Sequence, residues 1–138
     1  MTAINADDII KAARSQLGVK FRHQGRIAGQ VLDCAGLVAY VADTLGVAYE
    51  KLPTYGRIPH KDIMRGVLDA QPGLKCVRRK QPGDILLMRF ADEPQHVAIY
   101  TGDTIIHSYA GVGMVCEHRL DEKWENRIVA IYRFRDLN

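Results

Sequence analysis

The sequence predicts an α+β fold, with N-terminal helices packed on a C-terminal antiparallel sheet of about five to six strands. Two observations carry this. Apolar residues recur at helical spacing as far as about Ala70, and from Leu74 onward they alternate. Helices first and strands second, the strands joined by short Gly, Pro and Asp turns, is the order of an α+β chain rather than of βαβ units. At 138 residues there is room for one core, so 1–138 is expected to be a single domain.

The first helix is marked by its cap. Asn5 can accept from the exposed amides of the first turn, Asp7 and Asp8 sit at the positive end of the dipole, and Ile9, Ile10, Ala13 and Leu17 form the apolar stripe, with Gly18 as its end. Val19 to Leu32 reads as a loop with turns at Gly25 and Gly29. A second helix opens at Cys34 behind the cap Asp33 and stops at Gly46. It is apolar on most sides, which makes it a central, buried helix. Lys51 to Pro59 reads as a loop, and a third helix spans about Lys61 to Ala70 before Pro72 and Gly73.

Strands follow near Leu74–Arg79, Asp84–Phe90, His96–Thr101, Thr104–Tyr109, Met114–His118 and Arg127–Arg135. Turns separate them at Gln81-Pro82-Gly83, Gly102-Asp103 and Gly111 to Gly113. The Gly102-Asp103 pair fixes a register. As the two central residues of a tight turn they set Thr101 opposite Thr104 and Ala98 opposite His107, so His96 lies diagonal to His107 on one face.

Composition narrows the function classes. Apolar residues make up 47% and charged residues 25%, ordinary for a globular chain. The net charge of +3 is mild. Basic residues cluster at Lys75, Arg78, Arg79 and Lys80 and at Arg127, Arg133 and Arg135, but aromatics are not interleaved with them, so no nucleic acid is expected as a partner. The N-terminus lacks the basic start and apolar stretch of a signal peptide, and no segment approaches the ~20 apolar residues of a membrane span. Cys34, Cys76 and Cys116 form an odd set without Cys-x-x-Cys spacing, which points to reduced thiols rather than a disulfide framework or a zinc knuckle.

Cys34, His96 and His107 are the candidate catalytic residues. A thiol at the first turn of a helix, facing two imidazoles on one sheet face, is the apparatus of a cysteine nucleophile. The helix dipole and an imidazolium are expected to lower the thiol pKa and to make Cys34 the most reactive of the three cysteines. His96 then accepts the proton and His107 fixes its tautomer. The Cys34 amide provides one oxyanion donor, and the loop around His23 a second.

Four blocks, in order, resemble the NlpC superfamily of bacterial cell-wall cysteine peptidases. These are Asp33-Cys34-Ala35-Gly36-Leu37-Val38, Gln81-Pro82-Gly83-Asp84-Ile85-Leu86, His96-Val97-Ala98-Ile99-Tyr100 and Ile105-Ile106-His107-Ser108. The resemblance runs from about Leu17 to Phe134. It implies a papain-like fold and hydrolysis of peptidoglycan stem peptides, between D-γ-glutamate and the diamino acid, with no cofactor or metal.

It also implies Cys34 as nucleophile, His96 as base, His107 as third polar residue, and a substrate site formed by Phe21, Arg22, His23, Asp33 and Ala35. Phe21-Arg22-His23-Gln24-Gly25-Arg26 and Cys116 to Trp124 resemble the subgroup carried in phage and prophage tails. That implies synthesis in the bacterial cytoplasm and delivery as a tail component, with tail-tip proteins as partners. Two positions depart from the family pattern. Phe21 lacks the phenol usual near the nucleophile, and Ala35 replaces the serine that helps hold the substrate's acid, which leaves Arg22 or Arg26 to meet a stem carboxylate.

Three other readings use the same residues: a non-catalytic tail component, an acyltransferase or amidase on a non-wall substrate, and a zinc site of one thiolate and two imidazoles.

Overall fold

Asn5 accepts from the Asp8 amide at 2.9 Å and starts helix α1, Ala6–Arg14, which buries Ile9, Ile10, Ala12 and Ala13. The computed structural model describes residues 3–50, 63–90 and 93–137. The expected loop at Lys51 to Pro59 and the start of the third helix lie outside these residues. Helix α1 ends four residues before Gly18, and Leu17, expected on its apolar stripe, is 44% exposed. Once the helix stops at Arg14, the i+4 relation of Leu17 to Ala13 no longer puts the two on one face.

The stretch Val19 to Leu32, expected as a loop, contains three two-residue strands: β1 (Lys20–Phe21), β2 (Arg26–Ile27) and β3 (Val31–Leu32). Helix α2, Cys34–Thr44, begins at the expected cap, and α3, Ile63–Asp69, follows. Then come β4 (Leu74–Val77), β5 (Ile85–Phe90), β6 (Glu93–Tyr100), β7 (Thr104–Tyr109), β8 (Met114–Arg119), a single turn α4 (Glu122–Glu125) capped by Asp121, and β9 (Ile128–Phe134). The described strands form one sheet in the order β2-β3-β1-β8-β7-β6-β5-β9-β4. Nine strands replace the expected five to six, because the short ones pair too briefly to leave an alternating pattern.

The two sheet faces are differently covered. Ile85, Leu87, Val97, Ile99 and Ile106 point toward α1, α2 and α3 and form the main core with Ile9, Leu37 and Val41. Leu86, Met88, Ala98 and Ile105 point the other way, under Trp124 of α4 and Ile128 and Ile131 of β9. His96 and His107 alternate onto this second face.

The register between β6 and β7 is the expected one, Ile99 opposite Ile106 and Tyr100 opposite Ile105. Pairing of the two strands stops there, whereas β6 stays paired to β5 as far as Phe90 opposite Glu93. The sheet is therefore split between β6 and β7 next to the two histidines. Gln95 is the extra residue of a bulge, skipped between Met88–His96 and Arg89–Pro94.

Candidate active site

Asp33 builds the start of α2. Its Oδ1 accepts from the Gly36 amide at 2.8 Å and from Arg26 Nη1, and its Oδ2 accepts from the Gln24 amide at 2.9 Å. One buried carboxylate thus caps the helix and ties down the 22–26 loop beside it. Gly36 explains the spacing of the motif: a Cβ there would meet the Gly25 carbonyl oxygen at 2.2 Å, so only glycine lets the first helical turn cross this loop. Ser108 donates to the Leu32 carbonyl at 2.6 Å and anchors the same start to β7, one residue from His107.

Cys34 enters the split in the sheet. Its Sγ lies 4.0 Å from the Gln95 carbonyl oxygen, and the Val97 amide is directed at it from the far side of His96 in sequence. The bulge and the missing β7 partner leave these backbone groups for the thiol. The nucleophile candidate therefore meets β6 at the position of the base candidate.

The histidines form a chain. His96 Nε2 is 2.6 Å from His107 Nδ1, His107 Nε2 is 2.8 Å from His118 Nε2, and His118 Nδ1 is 2.9 Å from the Arg119 carbonyl oxygen. A carbonyl can only accept, so His118 carries a proton on Nδ1, and as a neutral ring it accepts at Nε2. His107 must then donate from Nε2 and accept at Nδ1, and His96 must donate from Nε2. One backbone carbonyl sets three tautomers, and it leaves His96 Nδ1 with a free lone pair for a proton. Trp124 covers the chain, with its ring 5.1 Å from both His107 and His118, while His107 stacks on Tyr109 at 5.4 Å.

His118 was not singled out by sequence reasoning. Its signal was present in the alternation Cys116-Glu117-His118, which puts Cys116 and His118 on the face that carries His107.

The electrostatics overturn the expected thiolate. Burial, and after it the charge of Asp33, pushes the Cys34 thiol up to about 12. Burial also holds His96 well below the ordinary imidazole value, with His107, Arg127 and His118 adding to the effect, and brings His107 to about 3. Residue 34 is only 9% exposed, so loss of hydration outweighs the helix dipole. The resting pair is a neutral thiol and a neutral imidazole.

The expected substrate residues fall into two groups. Arg22 is exposed and Phe21 and His23 half-buried, Phe21 ending β1 and the other two on the loop that borders the start of α2. Asp33 is 3% exposed and its carboxylate faces the donors just named, and Ala35 lines an apolar cavity of about 50 Å³ with Val38, Val97 and Phe134. Arg26, weighed as a carboxylate receptor, is held by Asp33 and by the Gly25 carbonyl. The trio of metal-capable side chains among the described residues is His107, Cys116 and His118, not the Cys34, His96 and His107 of the zinc reading. No helix among the described residues is long and apolar enough to cross a membrane.

The profile of the NlpC/P60 family matches residues 18–133. Among solved structures, an NlpC/P60 family protein from Bacillus cereus is similar with a TM-score of 0.70 and 21% identity, over 96% of this chain and 41% of that one. The peptidoglycan hydrolase RipB from Mycobacterium tuberculosis gives 0.64 and 18%, over 96% of this chain and 65% of that one. The P60 domain of an antigen from Mycobacterium avium subspecies paratuberculosis gives 0.66 and 18%, over 93% of both chains. At these identities the likeness is one of fold. The chain spans less than half the length of the Bacillus cereus protein. No curated protein sequence matches it.

Proposed function

The chain belongs to the NlpC/P60 family, and on that premise we propose that it is a cysteine endopeptidase acting on peptidoglycan stem peptides. Cys34 is the nucleophile, His96 the general base and His107 the residue that orients it. The observation that carries this reading is the histidine chain, which leaves His96 Nδ1 free to take a proton, together with the Cys34 thiol, which meets the β6 backbone at Gln95 and Val97, the residues on either side of His96.

Because the resting pair is neutral, the proton moves as the bond forms. Cys34 Sγ attacks the scissile carbonyl while its proton passes to His96 Nδ1, and His96 returns that proton to the departing amine. Water then hydrolyses the thioester through the same base. In this reading the Cys34 amide and a donor from the loop around His23 receive the oxyanion.

The bond is the one between D-γ-glutamate and the diamino acid, and the protein reaches it as a phage or prophage tail component. The bond extends the four-block motif resemblance, and the tail association extends the resemblance at Phe21 to Arg26 and Cys116 to Trp124. With Arg26 committed to Asp33, Arg22 is the basic side chain on the loop open to a stem carboxylate. A charge-assisted contact contributes roughly 1.5 to 3 kcal/mol, so Arg22→Ala lowers efficiency on a defined muropeptide about ten- to a hundredfold.

The test is mass spectrometry of fragments released from purified peptidoglycan, because the fragment mass names the bond. The parent releases stem fragments and Cys34→Ala does not. Equal release by both removes covalent catalysis. A parent that ignores muropeptides yet turns over a simple thioester moves the assignment to acyl transfer on a non-wall substrate.

A further inference from the structure

The outer end of the histidine chain carries a third kind of donor. Cys116 and His118 stand two residues apart on β8 and so share a face, and His107 is directly opposite Cys116 on β7. One nitrogen of each imidazole and the Cys116 sulfur all lie within 4.8 Å of one another. Zinc takes nitrogen at about 2.0–2.1 Å and thiolate sulfur at about 2.3 Å, which places the donors of one ion roughly 3.5 Å apart. Side-chain rotation of about 1 Å would close the cluster. His107 and Trp124 wall it on the protein side, while Cys116 and His118 are half-buried and give an ion a way in. Among the described residues Cys116 is a free thiol, in no disulfide.

We propose that His107, Cys116 and His118 form a site for a zinc-like divalent ion, with water in the fourth position, and that its occupancy switches the enzyme off. Binding itself is independent of the function proposed above, whereas the switch rests on His96 being the base.

The switch follows from the proton positions. An ion on His107 Nε2 displaces the proton that this nitrogen shares with His118, and the ring stays neutral by carrying its proton on Nδ1. His107 Nδ1 can then no longer accept, so the hydrogen bond to His96 reverses and His96 Nε2 becomes the acceptor. His96 in turn carries its proton on Nδ1, the nitrogen that would receive the proton of Cys34. The count closes. Each of the two rings keeps one proton, now moved from Nε2 to Nδ1 by exchange with water, and Cys116 releases one to solvent on ligation.

Cobalt(II) is the probe for binding, used on Cys34→Ala so that the catalytic thiol contributes nothing. One equivalent should bind with a thiolate-to-cobalt charge-transfer band, and Cys34→Ala/Cys116→Ser should lack that band. Cys116→Val serves as the second variant if serine unfolds the strand. Nitrogen-15 spectra of the histidine rings should show the His96 proton moving from Nε2 to Nδ1 as zinc is added. On peptidoglycan, equimolar zinc should lower hydrolysis at least tenfold, reversibly with a chelator, and Cys116→Ser should hydrolyse normally and resist zinc. A missing band, or the same band without Cys116, overturns the site. Binding with no change of the His96 tautomer overturns the switch. If no hydrolysis occurs even without zinc, the peptidase reading fails while the cobalt and nitrogen-15 results still decide the site.

Discussion

His107 accepts from His96 through Nδ1 at 2.6 Å and donates to His118 through Nε2, so it is the joint between the base candidate and the outer end of the chain. The hairpin that pairs β6 with β7 makes this contact possible, and the split beside it lets Cys34 reach β6 from the helical side of the sheet.

The first expectation separates the two inner histidines. General-base catalysis contributes about 10²–10⁴-fold, so His96→Ala should lose at least that much turnover. His107→Asn keeps an acceptor near the position of Nδ1 and should retain activity within about a hundredfold of the parent, whereas His107→Leu should fall further. Single-turnover rates on a defined muropeptide make the comparison, and equal losses in the Asn and Leu variants would sink the orienting role.

His118 is expected to act through His107 rather than on substrate. His118→Gln offers an oxygen that accepts the His107 proton and should preserve the tautomers. His118→Lys offers only donors, which forces the proton of His107 to Nδ1 and that of His96 with it. Turnover should therefore drop at least tenfold more in the Lys variant, with the KM little changed and with the His96 ring nitrogens exchanged in nitrogen-15 spectra. A purely structural residue would make the two variants alike.

Much of this arrangement was legible in the sequence. Gly102-Asp103 set the register that joins His96 to His107, and Asp33 marked the start of α2, because turn chemistry and capping are local. The 20–32 region was not legible as strands, since two-residue pairs are held by contacts distant in sequence rather than by a period of their own. The same holds for the bulge at Gln95. The thiol's protonation was misjudged for a related reason: a helix start is visible in a sequence, but the burial that outweighs it depends on β6 and β7 closing around Cys34.

Acid should destabilise the fold through the buried histidines. In the unfolded chain each takes up a proton near pH 6.5, while folded His107 does so only at about 3. Below pH 6.5 the unfolded state binds more protons, so the contribution is complete above that pH and is lost on descending from 6.5 toward 3. The slope reaches about 1.4 kcal/mol per pH unit for each such histidine. Urea midpoints measured from pH 7 to 4 should fall, and less steeply in His107→Asn. Parallel curves for parent and variant would show that His107 is not held neutral.

Thiol reactivity tests the resting state. The sequence alone makes Cys34 the first cysteine to be alkylated, but the structure buries it, raises its pKa to about 12 and leaves Cys76 exposed. Iodoacetamide at neutral pH should therefore label Cys76 first, and the rate at Cys34 should climb with pH well beyond 8. Asp33→Asn should accelerate that rate, because asparagine still caps the helix while the anion that disfavours the thiolate is gone. An increase of about three- to tenfold at pH 8 is expected. Peptide mapping by mass spectrometry assigns the labelled sites. Labelling of Cys34 ahead of Cys76 in the parent at pH 7 would restore a resting thiolate, and with it an ion pair in place of proton transfer in step with attack.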